Sequence, residues 1–528
     1  MNFRFEASRL FTREWSWIVI LTGIYLAAKI PFLLYDGPIN PDESQILGQV
    51  ITLSYDPVFW RSVDGTTSGP LNSYLLWFLG KTFFTYNYLL LHWLAAGLVL
   101  FTLWLIYRTL LLLVNYRAAL SSVLITYGFF LFNNHKDFNH YNSELVSVVL
   151  LTVGFYILVR IKRLAHPSLW LYGALGAVCC LVPLAKLQGG PLAFLYLLYT
   201  CLSLLYLPLP KNRKIAALGS LVGGAGAILL SLVIWLVSHN LLEEAYIMYI
   251  STNLSYYNTG NGLRLFLKLV FGSSYDYLFF LVLSGTVWLF AGLTFLQNRT
   301  RSLSPSLFTC FLGLNLIFSF WVIGKTGYVF EHYLFYTLIP ISILNGYAIQ
   351  QLFAQRSTRA FYLSYKSLLL MVLVGQVGNS WIKSERPSQQ FAPIEVSKQE
   401  KMVISLIKYY SRPTDCLAVW GWNCLYYTKT RLWQATRQNH SIRCMKTRSL
   451  GALHNVSLIN YYRRQFLDDL KQNRPAVFVD EVGANSMFDE PGELAHERIP
   501  ALKSFIEKNY QLVSEEGGIS VYVRLDRL

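Results

Sequence analysis

Long apolar runs fill the first 381 residues of this chain, and they limit its folds more than any other feature. Runs of spanning length lie near 15–35, 88–114, 119–133, 143–159, 168–185, 190–209, 215–238, 276–297, 306–323, 331–353 and 361–381. In hydrocarbon every backbone amide must be paired, and only a helix does this within one segment. The expected fold class is a polytopic α-helical membrane protein of eleven spans with juxtamembrane helices, followed by a C-terminal soluble α/β domain. The division falls at 1–381 and 382–528. Composition agrees: 54% of residues are hydrophobic and 14% charged, where a soluble protein carries about a quarter charged. The 35 Tyr, 34 Phe and 14 Trp suit repeated anchoring at two membrane interfaces. The first run is too long for a signal-peptide core and no small-residue cleavage site follows it, so it reads as a retained first span.

A formal charge of +16 invites a nucleic-acid reading. Its placement excludes one, because through residue 381 the basic residues cluster between apolar runs, as in loops kept on the cytoplasmic side. The apolar stretch Leu71–Phe84 is too short to span and reads as interfacial. With it not crossing and the N-terminus inside, sixteen basic residues, Arg108, Arg160 and Lys211 among them, face the cytoplasm. Seven face out: Arg61, Lys81, Lys136, Lys186, Arg264, Lys268 and Lys325. Were it to cross, every later cluster would invert. All the carboxylates of this region except Glu6 and Glu14 then lie in or beside outward loops. Acids gathered on one face imply work done there, unless these are simply the more soluble loops.

After Trp381 the composition becomes that of a soluble domain. Glu385–Pro393 reads as a linker. Helices are expected near 398–410, 457–472 and 500–508, with strands at Cys416–Trp420, Ala476–Val479, Gln511–Ser514 and Ile519–Arg524. The last two form a hairpin at Glu516-Gly517-Gly518. Parity places this domain outside the cytoplasm. One disulfide among Cys416, Cys424 and Cys444 is compatible with export. Cys179, Cys180, Cys201 and Cys310 read as packing residues.

Polar groups that could carry chemistry recur at the outer ends of spans. Pro41-Asp42-Glu43-Ser44 follows the first span and opens an amphipathic stretch. Helix capping alone would explain acids there. Thr66-Thr67-Ser68-Gly69-Pro70-Leu71 opens the non-crossing helix. The loop from Asn133 to Glu144 holds His135, Lys136, Asp137, Asn139, His140 and Asn142. Lys186-Leu187-Gln188-Gly189-Gly190-Pro191 joins two spans, and Glu331-His332-Tyr333 precedes Leu338-Ile339-Pro340. For Lys186 the plain alternative is snorkelling, and for His332-Tyr333 it is interfacial anchoring. His92 and His166 read as ordinary span or loop residues. The loop Asn253–Asn261 could line a sugar site or be an ordered surface loop.

In their order and common sidedness these motifs resemble the GT-C glycosyltransferases that use polyprenyl-phosphate sugars. That group includes protein O-mannosyltransferases and the lipid A aminoarabinose transferase. The matching features are Asp42-Glu43, Gly69-Pro70-Leu71, Asp137 to Glu144, Lys186 with Gly190-Pro191, and His332-Tyr333 with Pro340, covering 1–381. The resemblance implies an integral membrane enzyme of the cell envelope with an extracytoplasmic active face. It implies an inverting transfer of a sugar from a polyprenyl-phosphate donor to a lipid, glycan or protein. Phosphate leaves already anionic, so one carboxylate base suffices and no general acid is needed. The resemblance assigns that base to Asp42, with Glu43 and Asp137 beside it as catalytic candidates. Asn139, His140, Asn142, Glu144, Lys186, Arg264, His332 and Tyr333 are the candidates for substrate binding. For the leaving phosphate, Lys186, Arg264, Lys268 and His332 are the available cations. Here the chain departs from the aminoarabinose transferases, which place a Lys before Pro-Pro-Leu where this sequence has Ser68-Gly69-Pro70-Leu71. A divalent metal held by Asp42, Asp137 or a His could substitute, although no standard metal spacing is present and no cofactor is required.

Two rival readings are a transporter or flippase of a lipid-linked or anionic solute, and a scaffold presenting the soluble domain. Transporters show inverted repeats and acids at mid-membrane depth. This sequence shows neither.

Overall fold

A computed structural model describes residues 2–256, 275–297, 306–325, 330–354, 394–446, 455–483 and 490–528, together with Arg264, 267–269 and Val374. Ten of the eleven expected spans fall on described helices. The first is Asn2–Ala28, continued by a short turn at Ile30–Leu33. Then come Tyr88–Leu113, Tyr116–Phe132, Ser143–Arg163, Leu169–Ala185, Gly190–Tyr206 and Lys211–Ser238. Tyr275–Gln297, Leu307–Lys325 and Leu338–Ala354 complete them. The expected span 361–381 and linker 385–393 lie outside the described residues. Six of these helices are both long and apolar enough to cross a membrane by themselves. The expected span 331–353 begins differently from its prediction, as a 3-10 helix over Glu331–Thr337 that passes into the α-helix at Leu338.

Helix starts follow a local rule visible in the sequence. Asn40, Asn87, Asn115 and Asn142 each stand just before a helix and accept a backbone N–H from its first turn. Such caps satisfy donors that hydrocarbon or a protein interior would otherwise strand. Pro41 and Pro70 occupy the first helical position, where their missing N–H costs nothing. The helix Pro70–Thr82 has 13 residues, about 20 Å at ~1.5 Å per residue, short of the ~30 Å hydrocarbon core.

Between helices, small residues and hydroxyls make the contacts. Leu169–Ala185 crosses Lys211–Ser238 where Gly173 faces Gly224 and Gly176 faces Leu221. A Cβ at Gly224 would stand 1.9 Å from the Gly173 carbonyl oxygen, and one at Gly176 2.0 Å from that of Leu221. Ser122 Oγ donates to the Ser342 carbonyl at 2.6 Å, and Asn345 Nδ2 to Ser284 Oγ at 2.9 Å. These are the devices that replace the hydrophobic effect where lipid surrounds the helices. The outer face of Lys211–Ser238 exposes Ile215, Val222, Leu230, Ile234 and Val237, an apolar surface too continuous for water.

The C-terminal region forms a five-stranded sheet of order β2-β1-β3-β5-β4. Its strands are β1 (Cys416–Trp420), β2 (Trp433–Gln434), β3 (Val477–Asp480), β4 (Tyr510–Glu516) and β5 (Ile519–Arg524). β1 runs parallel to β2 and β3, while β5 is antiparallel to β3 and β4. The helices Lys398–Tyr410, Val456–Asn473 and Pro500–Asn509 fall where the periodicity puts them. Strand β2 and the helix Leu425–Thr430 are additions to that reading. The hairpin turns at Gly517 and Gly518, both at positive φ (62° and 82°), a conformation glycine adopts without strain. Cys416, Cys424 and Cys444 are buried free thiols, not a disulfide pair.

The sheet region is fastened to the segment between the first two spans. Gln434 N donates to Thr52 Oγ1 at 3.0 Å, and Asn439 Nδ2 to the Gln45 carbonyl at 2.8 Å. The Tyr88 hydroxyl meets Thr428 Oγ1 at 2.7 Å. Arg443 pairs with buried Asp64 at 3.5 Å.

Gly224→Val should lower the thermal midpoint of detergent-solubilised protein by several degrees. Gly223→Ala, where a Cβ meets nothing within 4 Å, should leave it unchanged. Equal midpoints for the two would refute the close helix contact.

Candidate functional site

Four segments at the ends of the helices converge on one cleft. The helix Pro41–Leu53 brings Asp42 in its first turn, placed by Asn40, whose Oδ1 accepts the Asp42 N–H at 3.1 Å. Asn40 also reaches the loop 133–144, donating through Nδ2 to Asp137 Oδ1 at 3.2 Å. The other oxygen of Asp137 accepts the Glu331 N–H at 3.1 Å and lies 3.2 Å from His332 Nδ1. One buried carboxylate thus ties together three stretches more than ninety residues apart in sequence. Glu144 opens the helix Ser143–Arg163 and forms an ion pair with Lys186 at 2.9 Å. Lys186 Nζ also donates to Ser143 Oγ at 2.7 Å and Thr67 Oγ1 at 3.1 Å. His332 Nε2 stands 3.8 Å from Glu144, joining the two carboxylate groups.

The cleft is partly open to solvent and has a cavity volume of about 90 Å³, narrower than the ~300–1,000 Å³ of typical small-molecule sites. From the helical region Asp42, Gln45, Ser143, Lys186, His332 and Tyr333 line it. The turn Thr66–Ser68 forms one edge. Thr66 there holds a left-handed backbone (φ 56°) that a β-branched residue adopts only under constraint. The constraint is visible: its N–H donates to Asp64 Oδ1 at 2.9 Å, and its hydroxyl accepts from Gln45 Nε2 at 2.7 Å. The remaining lining comes from the C-terminal region: Trp422, His440, Ile442 and Arg443.

Electrostatics separate the two acids. Burial pushes the Asp42 carboxyl above its ordinary value of 3.8, opposed by His332, His140 and Lys186 and reinforced by Asp137. For Asp137 burial acts in the same sense, but the His332 hydrogen bond and the nearby His140 and His135 outweigh it. Its carboxyl is held well below the usual range. Asp137 is thus held ionised, whereas Asp42 keeps a raised proton affinity. His440 is held down to about 3 by burial and by the charge of Arg443, so it stands neutral over the cleft.

Not every expected site residue lies there. Glu43 is fully buried and turned from the cleft, accepting the N–H groups of Ile39 and Tyr141 at 2.8 and 3.0 Å and facing His92 at 3.2 Å. It anchors the loop, and His92, expected to be an ordinary span residue, is its partner. Asn139 closes the 133–144 loop through the carbonyls of Asn133 and His135, and Asn142 caps the next helix. His140 lies beneath His332, ring centres 5.8 Å apart. Arg264 is exposed and is not among the cleft's described lining residues. Of the expected Asn253–Asn261 loop, residues 253–256 are described and belong to the helix Thr252–Tyr256 instead; Asn253 is buried and donates to the Thr66 carbonyl at 3.3 Å. Trp422, His440 and Arg443 escaped the sequence reading. Their one local signal is Trp420-Gly421-Trp422, a glycine turn leaving the carboxyl end of a parallel strand, where α/β sheets bind ligands.

His135, Asp137 and Glu331 offer ligand atoms within 4.8 Å of one another. This nitrogen and oxygen set suits a divalent cation, although His135 Nδ1 already meets Glu331 at 2.7 Å.

No protein-family description and no curated sequence matches this chain. Solved structures do, and the fold they share is that of the GT-C glycosyltransferases. ArnT from Cupriavidus metallidurans, bound to undecaprenyl phosphate, aligns over 96% of this chain and 98% of its own, at 14% identity and a TM-score of 0.56. The Archaeoglobus fulgidus oligosaccharyltransferase AglB, in complex with an inhibitory peptide and a dolichol-phosphate, covers 97% of this chain and 74% of its own, at 12% identity and 0.51. The arabinofuranosyltransferase AftD from Mycobacteria aligns over 96% of this chain and 40% of its own, at 12% and 0.50.

Lys186→Met should destabilise the protein by about 3–5 kcal/mol, since it strands Glu144 in a buried site. The double variant Lys186→Met/Glu144→Gln should recover most of that loss. Thermal denaturation in one detergent checks both, and a double variant no more stable than the single would count against the pairing.

Proposed function

We propose that this protein is a membrane glycosyltransferase. In this reading it moves a sugar from a polyprenyl-phosphate donor to an extracytoplasmic acceptor, with inversion at the anomeric carbon. The observation that carries it is the convergence of Asp42, Lys186 and His332 on one cleft within a GT-C fold. The donor's isoprenoid tail lies in lipid among the helices, with its phosphate at the cleft beside Lys186 and His332. Asp42, ionised, takes the proton of the acceptor hydroxyl as that oxygen bonds to the anomeric carbon. The bond from that carbon to the phosphate oxygen breaks, and polyprenyl phosphate departs with the electron pair. The cations offset its charge, so no acid need protonate it. Asp137 does no proton transfer. It holds His332 and the Asn40 turn in place.

Sidedness in this proposal rests on the charge bias of the loops, which puts the cleft and the C-terminal domain outside the cytoplasm. Acceptor class is left among lipid, glycan and protein, and a cation at His135, Asp137 and Glu331 would add charge neutralisation near the phosphate. Flippase activity finds no support in the fold likeness.

In proteoliposomes with a polyprenyl-phosphate sugar donor, Asp42→Asn should reduce product formation at least about a hundredfold with the melting midpoint held. Product mass and thermal denaturation give the two readouts. Transfer undiminished in the variant would remove Asp42 from the role of base. The wild-type rate should fall on acidification at a pH above the ordinary carboxylate value, because the base works only ionised and its proton affinity is raised. A rate that stays flat down to the ordinary carboxylate range would contradict that environment.

A further inference from the structure

The cleft is completed by a part of the chain that the proposed chemistry does not use. Trp422 follows the carboxyl end of β1 and His440 lies in the segment after β2; the two rings pack on one another, ring centres 5.1 Å apart and inclined by 38°. Both line the cleft. His440 is 3% exposed, yet its Nδ1 has no hydrogen-bond partner, and neither has the indole N–H of Trp422. Two orphaned polar atoms beside a cavity, one in the buried His440 ring and one in the half-buried Trp422 ring, are a costly arrangement without a ligand to satisfy them. Arg443 beside them is spent, held by the Tyr462 hydroxyl at 2.7 Å and by Asp64.

We infer that Trp422 and His440 form a binding site for an uncharged, hydroxylated sugar ring, and that this ring belongs to the acceptor. The inference rests on the glycosyl-transfer reading for the word acceptor; the sugar site itself rests on the two rings. A pyranose offers an apolar face and an edge of hydroxyls. The indole face covers the first, while the Trp422 N–H donor and the His440 ring nitrogens answer the second. The acceptor assignment follows from the geometry of inversion. The incoming oxygen must approach from the side opposite the leaving phosphate. With Lys186 and His332 of the helical region given to that phosphate, the C-terminal lining of the cleft is the part assigned to the incoming partner. The fastening of this region to Thr52, Asp64 and Gln45 keeps the two rings in register with Asp42.

The test uses the full chain in nanodiscs and a panel of methyl glycopyranosides of glucose, galactose, mannose and xylose, read by saturation-transfer NMR. At least one should bind, and Trp422→Ala should weaken it about tenfold while Trp422→Phe keeps most of the affinity. His440→Gln should change the ranking within the panel, a readout that general loosening of the fold would not produce. Undecaprenyl phosphate loaded into the nanodiscs should leave glycoside affinity unchanged. Displacement by it would put the ring on the donor side and overturn the acceptor assignment. Failure of every glycoside to bind, or equal affinity in Trp422→Ala, would overturn the site. If Asp42→Asn transfers sugar normally while binding still depends on Trp422, the transfer mechanism falls and the sugar site stands. If Asp42 proves essential and Trp422→Ala binds like wild type, only this inference falls.

Discussion

A carboxylate among apolar helices is tolerated only if its charge is answered on the spot, and Asp137 is where this protein meets that demand. Its two oxygens take up the Asn40 amide, the Glu331 N–H and the His332 ring. Each partner belongs to a different segment of the chain, so satisfying one charge fixes the mutual positions of all three. Asn40 in turn sets the first turn of the helix that carries Asp42. The base of the proposed reaction is therefore placed by a neighbour that takes no part in proton transfer. Glu144 and Lys186 repeat the device on the other side of His332.

The same economy explains why adjacent Asp42 and Glu43 have different fates. On a helix, neighbours in sequence point roughly 100° apart. Asp42 opens to the cleft, whereas Glu43 turns inward to two backbone amides and His92. Asp42 keeps a raised proton affinity because burial is only partly offset by the nearby cations. Asp137 is lowered by direct contact with His332. Two acids sharing one neighbourhood are thereby driven apart in proton affinity by their partners.

The C-terminal region is a working wall of the site. It covers the segment between the first two spans through Thr52, Gln45 and Asp64, and through Asp64 it holds Thr66 in its left-handed turn. A change in the sheet region would thus be transmitted to the edge of the cleft. This coupling joins the sheet region to the helical bundle.

Much was legible in the sequence because it is written in local terms. Apolar run length marks the helices, asparagine before a run marks their starts, and alternating β-branched residues mark β3 and β5. The order Asp42, Asp137, Lys186, His332 along the outer loops already suggested a shared cleft, since isolated ionisable groups are too costly beside lipid for a passive turn. Local rules could not say that Glu43 faces inward, that Asn40 bridges two loops, or that the 331–337 stretch is 3-10 helix. Nor could they bring Trp422 and His440 to residues almost four hundred positions earlier in the chain, because their meeting depends on how the sheet seats on the 41–69 segment. Sequence determines which residues need partners, through hydropathy and charge. Which partners they receive is decided only when distant segments pack, because a buried charge or ring is satisfied by whatever the fold brings within about 3 Å of it.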